Sequence, residues 1–163
     1  MNRADISAQC LRRLQGELRG LAHAPDTITA GPAGDDIRVW EAMFEGPETT
    51  CWEGGIFRLR IEFTENYPNE PPAVKFISPM FHPNVYNDGR ICMDILKSHW
   101  SPSTDVVSLI LSIQSMLADP NLDSPANAAA AELMRVNRTE YEARVRHIVD
   151  ASVEAASAAS PTE

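Results

Sequence analysis

The residues of this chain best equipped for chemistry lie in one run, His82-Pro83-Asn84-Val85-Tyr86-Asn87-Asp88-Gly89-Arg90-Ile91-Cys92, where a thiol follows an amide by eight positions. A reachable thiol attacks activated acyl groups and departs again when an amine attacks, so it can carry an acyl group without being held permanently as thiolate. A lone cysteine is equally a small buried hydrophobe, and its setting decides between the two. Asp88 and Asp94 are acidic and Arg90 is the cation nearest in sequence. Neighbouring charge therefore gives no reason to expect a thiolate poised at all times. The Asn84 amide could donate to a developing oxyanion, worth on the order of 3 kcal/mol in a transition state, or could hold the loop. His82 could be a general base, but Pro83 follows it at once, and a ring hydrogen-bonded to loop backbone is the expected reading. His23, His99 and His147 are scattered, without metal-ligand spacing to a cysteine. No phosphate-cradling glycine loop occurs, so any ATP in the reaction would be bound by another protein.

These groups need elements to position them. Leu11, Leu14, Leu18 and Leu21 fall on one stripe of a helix expected from about residue 4 to 22, with Arg12, Arg13 and Arg19 off that stripe. Strands are expected near residues 27–30, 37–44, 56–63 and 73–77, clearest where Phe57, Leu59, Ile61 and Phe63 alternate with Arg58, Arg60 and Glu62. Residues 78–102 show no lasting periodicity, and long irregular stretches of this kind are usually functional. Within it Asn87-Asp88-Gly89 reads as a turn with Gly89 in the left-handed region. Helices follow: about 106–117 behind an Asp105 cap, a second opened by Ser124-Pro125 and running to about Val136, and a last one opened by the capping box Thr139-Glu140-Tyr141-Glu142. The small, polar end from about residue 155 is expected to be frayed. The whole reads as α+β: a four-stranded antiparallel meander, an N-terminal helix and about three C-terminal helices. We expect one catalytic domain over residues 1–155 and a flexible tail over 156–163.

Composition bounds the function. The 163 residues are 44% hydrophobic and 23% charged, ordinary for one globular domain. No apolar run approaches membrane-spanning length and the first residues lack a secretory pattern, so the chain is expected to work inside the cell. Three scattered cysteines, Cys10, Cys51 and Cys92, are expected to be free thiols. A net charge of −9 opposes nonspecific attachment to nucleic acid or anionic membrane, which leaves proteins as the expected partners.

The run His82-Pro83-Asn84, then Asp88-Gly89-Arg90-Ile91-Cys92-Met93-Asp94-Ile95-Leu96, then Trp100-Ser101-Pro102, resembles the signature of the ubiquitin-conjugating enzymes. The likeness extends from Ala30-Gly31-Pro32 and Trp40 through Tyr67-Pro68 and Pro71-Pro72 to Asp119-Pro120-Asn121 and Ser124-Pro125-Ala126-Asn127. It implies that ubiquitin arrives from an activating enzyme as a thioester on Cys92 and passes to a lysine amine, usually with a RING-type ligase, without cofactor or metal. Catalytic roles follow for Cys92, Asn84, Ser124 and Asp94. Partner surfaces follow as well: Arg12 and Arg13 for the activating enzyme, Pro68, Asn69, Ser101 and Pro102 for a ligase, and Leu111 and Ser112 for folded-back ubiquitin. Tyr67-Pro68-Asn69 and Ser124-Pro125-Ala126-Asn127 are closest to the branch without long extensions that acts in histone modification and DNA-damage tolerance, in cytoplasm and nucleus. Two departures stand out. Ser124 replaces an aspartate common at the rim of the site, with Asp123 beside it, and Asn69 replaces an aromatic of some ligase-pairing members. The alternatives are a carrier of a ubiquitin-like modifier, a silent ubiquitin-binding scaffold, which would lack the thiol, and a cysteine hydrolase, which would need a histidine base. The short Leu96 to Trp100 segment is unlike the SUMO-specific branch, which has an insertion there.

Overall fold

Alternation of apolar and charged side chains builds the sheet. In the computed structural model, which describes residues 6–159, strands β1 (Ile28–Pro32), β2 (Val39–Glu45), β3 (Ile56–Glu62) and β4 (Ala73–Phe76) form one antiparallel sheet in the order β1-β2-β3-β4. The register sets Ala42 opposite Leu59 and Leu59 opposite Phe76. Because side chains alternate with period two, Trp40, Ala42, Phe44, Phe57, Leu59, Ile61, Val74 and Phe76 are all buried. Met43, Arg60 and Lys75 are exposed on the other face.

One layer of helix covers the buried face. Helix α1 (Ala8–Gly20) begins after Ser7, whose hydroxyl accepts from the Cys10 N–H at 3.1 Å, and buries Cys10 and Leu14. The central helix α2 (Val106–Ala118) starts at the expected Asp105 cap, which accepts from the Ser108 N–H at 2.7 Å. It buries Val106, Leu109, Ile110, Ile113, Met116 and Leu117, enough to act as the core's second wall.

The remaining helices differ from expectation in three ways. Ser124-Pro125 opens no helix: α3 (Ala128–Val136) starts at Asn127, whose side chain accepts from the Ala130 N–H at 3.0 Å. The reason is tertiary, since the Ala126 and Asn127 N–H groups both donate to the Pro83 carbonyl, at 2.8 and 3.0 Å, which holds this segment against the loop. Helix α4 (Arg138–Ala159) begins before Thr139, and Asn137 caps it by accepting from the Glu140 N–H at 3.1 Å. It also continues to Ala159 through the segment expected to fray. Val149 and Ser152 are buried there, and the Ser152 hydroxyl accepts from the Ile56 N–H at 3.0 Å, tying the helix to β3. Of the expected first helix, residues 4 and 5 lie outside the described residues, as do residues 160–163 of the tail.

Candidate active site

Residues 78–102 are irregular, as expected, but they are pinned. His82, Pro83, Asn84 and Val85 are all buried. The Gly89 carbonyl accepts from the Phe76 N–H at 2.9 Å, which docks the following turn on the end of β4. Gly89 has φ +94°, and a Cβ there would meet the Phe76 carbonyl oxygen at 2.4 Å, so a glycine is required twice over. The Cys92 N–H donates to the Asn84 carbonyl at 2.8 Å, so the eight-residue spacing closes into a loop, and both residues line the same groove.

Cys92 is half-buried at a groove of about 620 Å³ lined by Asn84, Cys92, Asp94, Leu111, Asp119 and Ser124 among others. The other two thiols differ from it: Cys10 is fully buried with its Sγ against the Thr64 carbonyl, and burial pushes both Cys10 and Cys51 up from the ordinary thiol value. Around the Cys92 Sγ stand the Lys97 Nζ at 3.5 Å and the Ser124 backbone carbonyl at 4.0 Å. Arg90, the cation expected from sequence, is committed elsewhere, to Asp88 at 2.7 Å and to the face of Tyr86 at 4.9 Å. Lys97 is the cation at the sulfur. It was missed because a five-residue separation across a short 3₁₀ turn, Asp94–Leu96, has no periodicity to read.

His82 serves the scaffold, as its sequence setting indicated. Its Nδ1 accepts from the Asn84 N–H at 2.9 Å, so the ring carries its proton on Nε2 and donates to the Met116 carbonyl, also at 2.9 Å. Burial pushes its pKa down to about 4, only partly opposed by backbone hydrogen bonds. Among the described residues no histidine hydrogen-bonds the Cys92 sulfur, and the hydrolase alternative loses its base.

Asn84 holds the loop, the second of its two expected readings. Its Oδ1 accepts from the Asn121 N–H and its Nδ2 donates to the Asn121 carbonyl, both at 2.8 Å, which locks the loop to the segment before α3. An amide has two N–H bonds, so one remains, and Asn84 lines the groove. Asp94 also lines it, exposed and 3.6 Å from His99 Nδ1. Asp123 is absent from the groove lining, and its N–H donates to the Asn121 side chain. Asp119, which sequence reading treated only as part of a motif, is the second carboxylate there.

The expected partner residues divide. Leu111 and Ser112 line the groove on the exposed side of α2. Asn69 and Pro102 are exposed and Ser101 is partly so. Pro68 is buried, a correction to its place on a surface, because its carbonyl accepts from the Trp100 indole N–H at 2.9 Å. That bond joins the loop at residues 67–69 to the one at 101–102. Arg12 is exposed, whereas Arg13 is drawn inward: it donates to the Thr104 carbonyl at 3.1 Å, pairs with Glu17 at 3.5 Å and lies over Tyr67 at 5.6 Å.

An N-terminal helix, one four-stranded antiparallel sheet and three C-terminal helices, with a thiol in the long loop between sheet and α2, define a ubiquitin-conjugating fold. The ubiquitin-conjugating enzyme family matches residues 13–149. Ubiquitin-conjugating enzyme E2 1 of Caenorhabditis elegans is 53% identical over 142 residues, covering 86% of this chain and 74% of that protein. Ubiquitin-conjugating enzyme E2 3 of Arabidopsis thaliana is 50% identical over 142 residues, covering 86% of this chain and 95% of that protein. The chain belongs to the ubiquitin-conjugating enzyme family, and its activity is the transfer of ubiquitin.

Proposed function

We propose that Cys92 is the residue that carries ubiquitin as a thioester and that the groove beside it receives the ubiquitin tail. The observation that carries this reading is the half-buried Cys92 thiol at the mouth of a groove of about 620 Å³, while Cys10 is sealed in the core. Thiol exchange fits a sulfur with no histidine base: the Cys92 sulfur takes the acyl group from the activating enzyme's thioester, and an amine later displaces it. Asn84 stabilises the tetrahedral intermediate with its remaining N–H while its Asn121 bonds fix the loop. Asp94 and Asp119, both lining the groove, assist the incoming lysine amine to lose its proton.

Leu111 and Ser112 form the shelf on which the carried ubiquitin folds back. Asn69, Ser101 and Pro102, joined through the Pro68–Trp100 bond, form the ligase surface, and exposed Arg12 faces the activating enzyme. A RING-type ligase, met in the nucleus as well as the cytoplasm, is the partner we infer, in the branch that acts in histone modification and DNA-damage tolerance, with Tyr67-Pro68-Asn69 and Ser124-Pro125-Ala126-Asn127 as the supporting motifs.

Incubation with activating enzyme, ATP and ubiquitin tests the central claim. A ubiquitin adduct on a non-reducing gel that thiol reagents remove, absent from Cys92→Ala and present in Cys51→Ala, is the expected result. Persistence of the adduct in Cys92→Ala, or its absence from the wild type, overturns the assignment.

A further inference from the structure

The turn after the thiol presents a cation to it. Lys97 follows Cys92 by five residues, and its Nζ donates to the Cys92 Sγ at 3.5 Å. The Ser124 backbone carbonyl, 4.0 Å from the same sulfur, offers it only a negative dipole end. A protonated thiol carries no charge for an ammonium to stabilise, and neither does a thioester sulfur. Charge gathers on the sulfur when the acyl group leaves it, and an interaction raises a rate only if it is stronger in the transition state than in the ground state. We propose that Lys97 is a catalytic residue of the discharge step: its ammonium stabilises the negative charge that develops on the Cys92 sulfur as the C–S bond of the thioester breaks. This rests on Cys92 being the thioester residue.

The surroundings keep that ammonium in place and available. The Lys97 N–H donates to the Asp94 carbonyl at 2.9 Å, and the Lys97 carbonyl accepts from the Trp100 N–H at 3.3 Å. The Trp100 indole is in turn bound to the Pro68 carbonyl at 2.9 Å, so the root of the lysine stem is anchored. Asp94, the carboxylate nearest in sequence, lies 3.6 Å from His99 Nδ1, and among the described residues the Lys97 amine is paired with no carboxylate. Arg90 cannot substitute for it, being held by Asp88 and Tyr86. Lys97 is exposed, so water screens its field and its effect on the rate is smaller than that of a buried donor.

The step balances without any further reactant. The acceptor amine attacks the thioester carbonyl carbon, a C–N bond forms, and the nitrogen gives up a proton to solvent or to a groove carboxylate. The C–S bond then breaks and its electron pair goes to sulfur. An ammonium is ordinarily a weaker acid than a thiol, so the proton stays on Lys97 and the sulfur departs as a thiolate paired with it. Solvent protonates the thiolate. The products are an isopeptide and a Cys92 thiol, with Lys97 unchanged. The chemistry of the acceptor separates this role from one in seating the acceptor. A strongly basic amine stays on the tetrahedral carbon while the thiolate leaves, so its attack limits the rate. A weakly basic amine is itself readily expelled, so C–S cleavage limits the rate and Lys97 matters more.

The test loads wild type, Lys97→Met and Lys97→Arg with lysine-free ubiquitin, then stops charging by chelating magnesium. Loss of the thioester is followed on non-reducing gels with added lysine, which is strongly basic, or trifluoroethylamine, which is weakly basic, and the loss without added amine is subtracted. Lys97→Met should lower the second-order rate roughly tenfold for trifluoroethylamine, below the range of a buried oxyanion donor, and by less than about threefold for lysine. Lys97→Arg keeps a fixed cation and should stay within about twofold of wild type for both amines. An equal loss with the two amines, a Lys97→Arg rate as low as that of Lys97→Met, or a Lys97→Met rate equal to wild type overturns the inference and leaves the Cys92 assignment standing. Absence of the thioester band from the wild type, or its persistence in Cys92→Ala, removes both.

Discussion

At the scale of single residues, the site is a thiol with a buried, doubly bonded amide and an exposed amine near it. Asn84 can be dissected because its two ends have different jobs. Asn84→Ala strands the Asn121 N–H and carbonyl together and should cost about 2 kcal/mol, a fall in melting temperature of roughly 4–8 °C by calorimetry. Asn84→Asp keeps the acceptor for the Asn121 N–H and removes every donor. Single-turnover discharge to free lysine should then fall further than stability does, and a variant whose discharge merely follows its stability would reduce Asn84 to a loop brace. Ser124 tests a different element of the chemistry. It is exposed at the groove rim and only its carbonyl nears the sulfur, while the adjacent Asp123 is outside the groove. A carboxylate at this position can take the proton of the incoming amine, so Ser124→Asp should speed ligase-free discharge by roughly tenfold, below the usual range for a general base because the position is wet. An unchanged rate would leave amine activation to Asp94, Asp119 and ligase-induced closure. Cys92, Asn84 and the structural role of His82 were legible in the sequence because they share one short motif. Lys97 and Asp119 were not, since each reaches the site through a turn or a helix end whose direction only the assembled fold sets.

At the scale of elements, local pattern was a good guide wherever burial and period agreed. The strand β3 was readable from Phe57-Arg58-Leu59-Arg60-Ile61-Glu62, and α2 from its apolar face and the Asp105 cap. The starts of α3 and α4 differ from the local pattern for two reasons: at α3 the backbone after a competent cap sequence is engaged elsewhere, and at α4 the Asn137 side chain caps the helix two residues before Thr139. Ser124-Pro125 is the first case, because the Pro83 carbonyl claims the Ala126 and Asn127 N–H groups and postpones the helix. This displacement is useful, since it leaves Asn121 and Ser124 lining the groove instead of coiling the segment into a helix. The energetic prediction is direct. Asn127→Ala and Asn137→Ala remove side-chain acceptors at true caps and should each cost about 1 kcal/mol in urea unfolding, whereas Thr139→Ala should stay within about 0.5 kcal/mol. Equal losses at Asn137 and Thr139 would restore the capping box to Thr139.

At the scale of the whole molecule, two buried titratable groups join segments far apart in sequence, and they pull stability in opposite directions with pH. Glu17 on α1 accepts from the Tyr67 hydroxyl and, at 2.7 Å, from the Val106 N–H, so it gathers the helix, the loop at residue 67 and the start of α2. Burial raises its pKa above the ordinary carboxylate value, opposed by those hydrogen bonds and by Arg13. The folded chain therefore holds this proton more tightly than the unfolded chain. The associated stability is complete below the unfolded value of about 4.3 and is lost as pH rises through the higher folded value. His82 has the reverse sign. Its folded pKa is depressed to about 4, so between pH ~6.5 and ~4 the unfolded chain takes up a proton that the folded chain refuses, a loss on the order of 3 kcal/mol as pH falls. Substitution separates the two. In Glu17→Gln the amide can still accept from Val106 and donate to Tyr67 but cannot ionise, so its stability relative to wild type should climb as pH rises from about 4.5 toward neutrality. His82→Gln should be less stable than wild type at pH 7, and the gap should narrow as pH approaches 4, because only the wild type suffers the proton penalty. Urea unfolding of the three proteins at a series of pH values measures both differences. A Glu17→Gln gap that does not vary with pH would mean that the Tyr67 and Val106 hydrogen bonds fully offset the burial of the Glu17 charge, and α1 would then be held to the core by a carboxylate indifferent to its own ionisation.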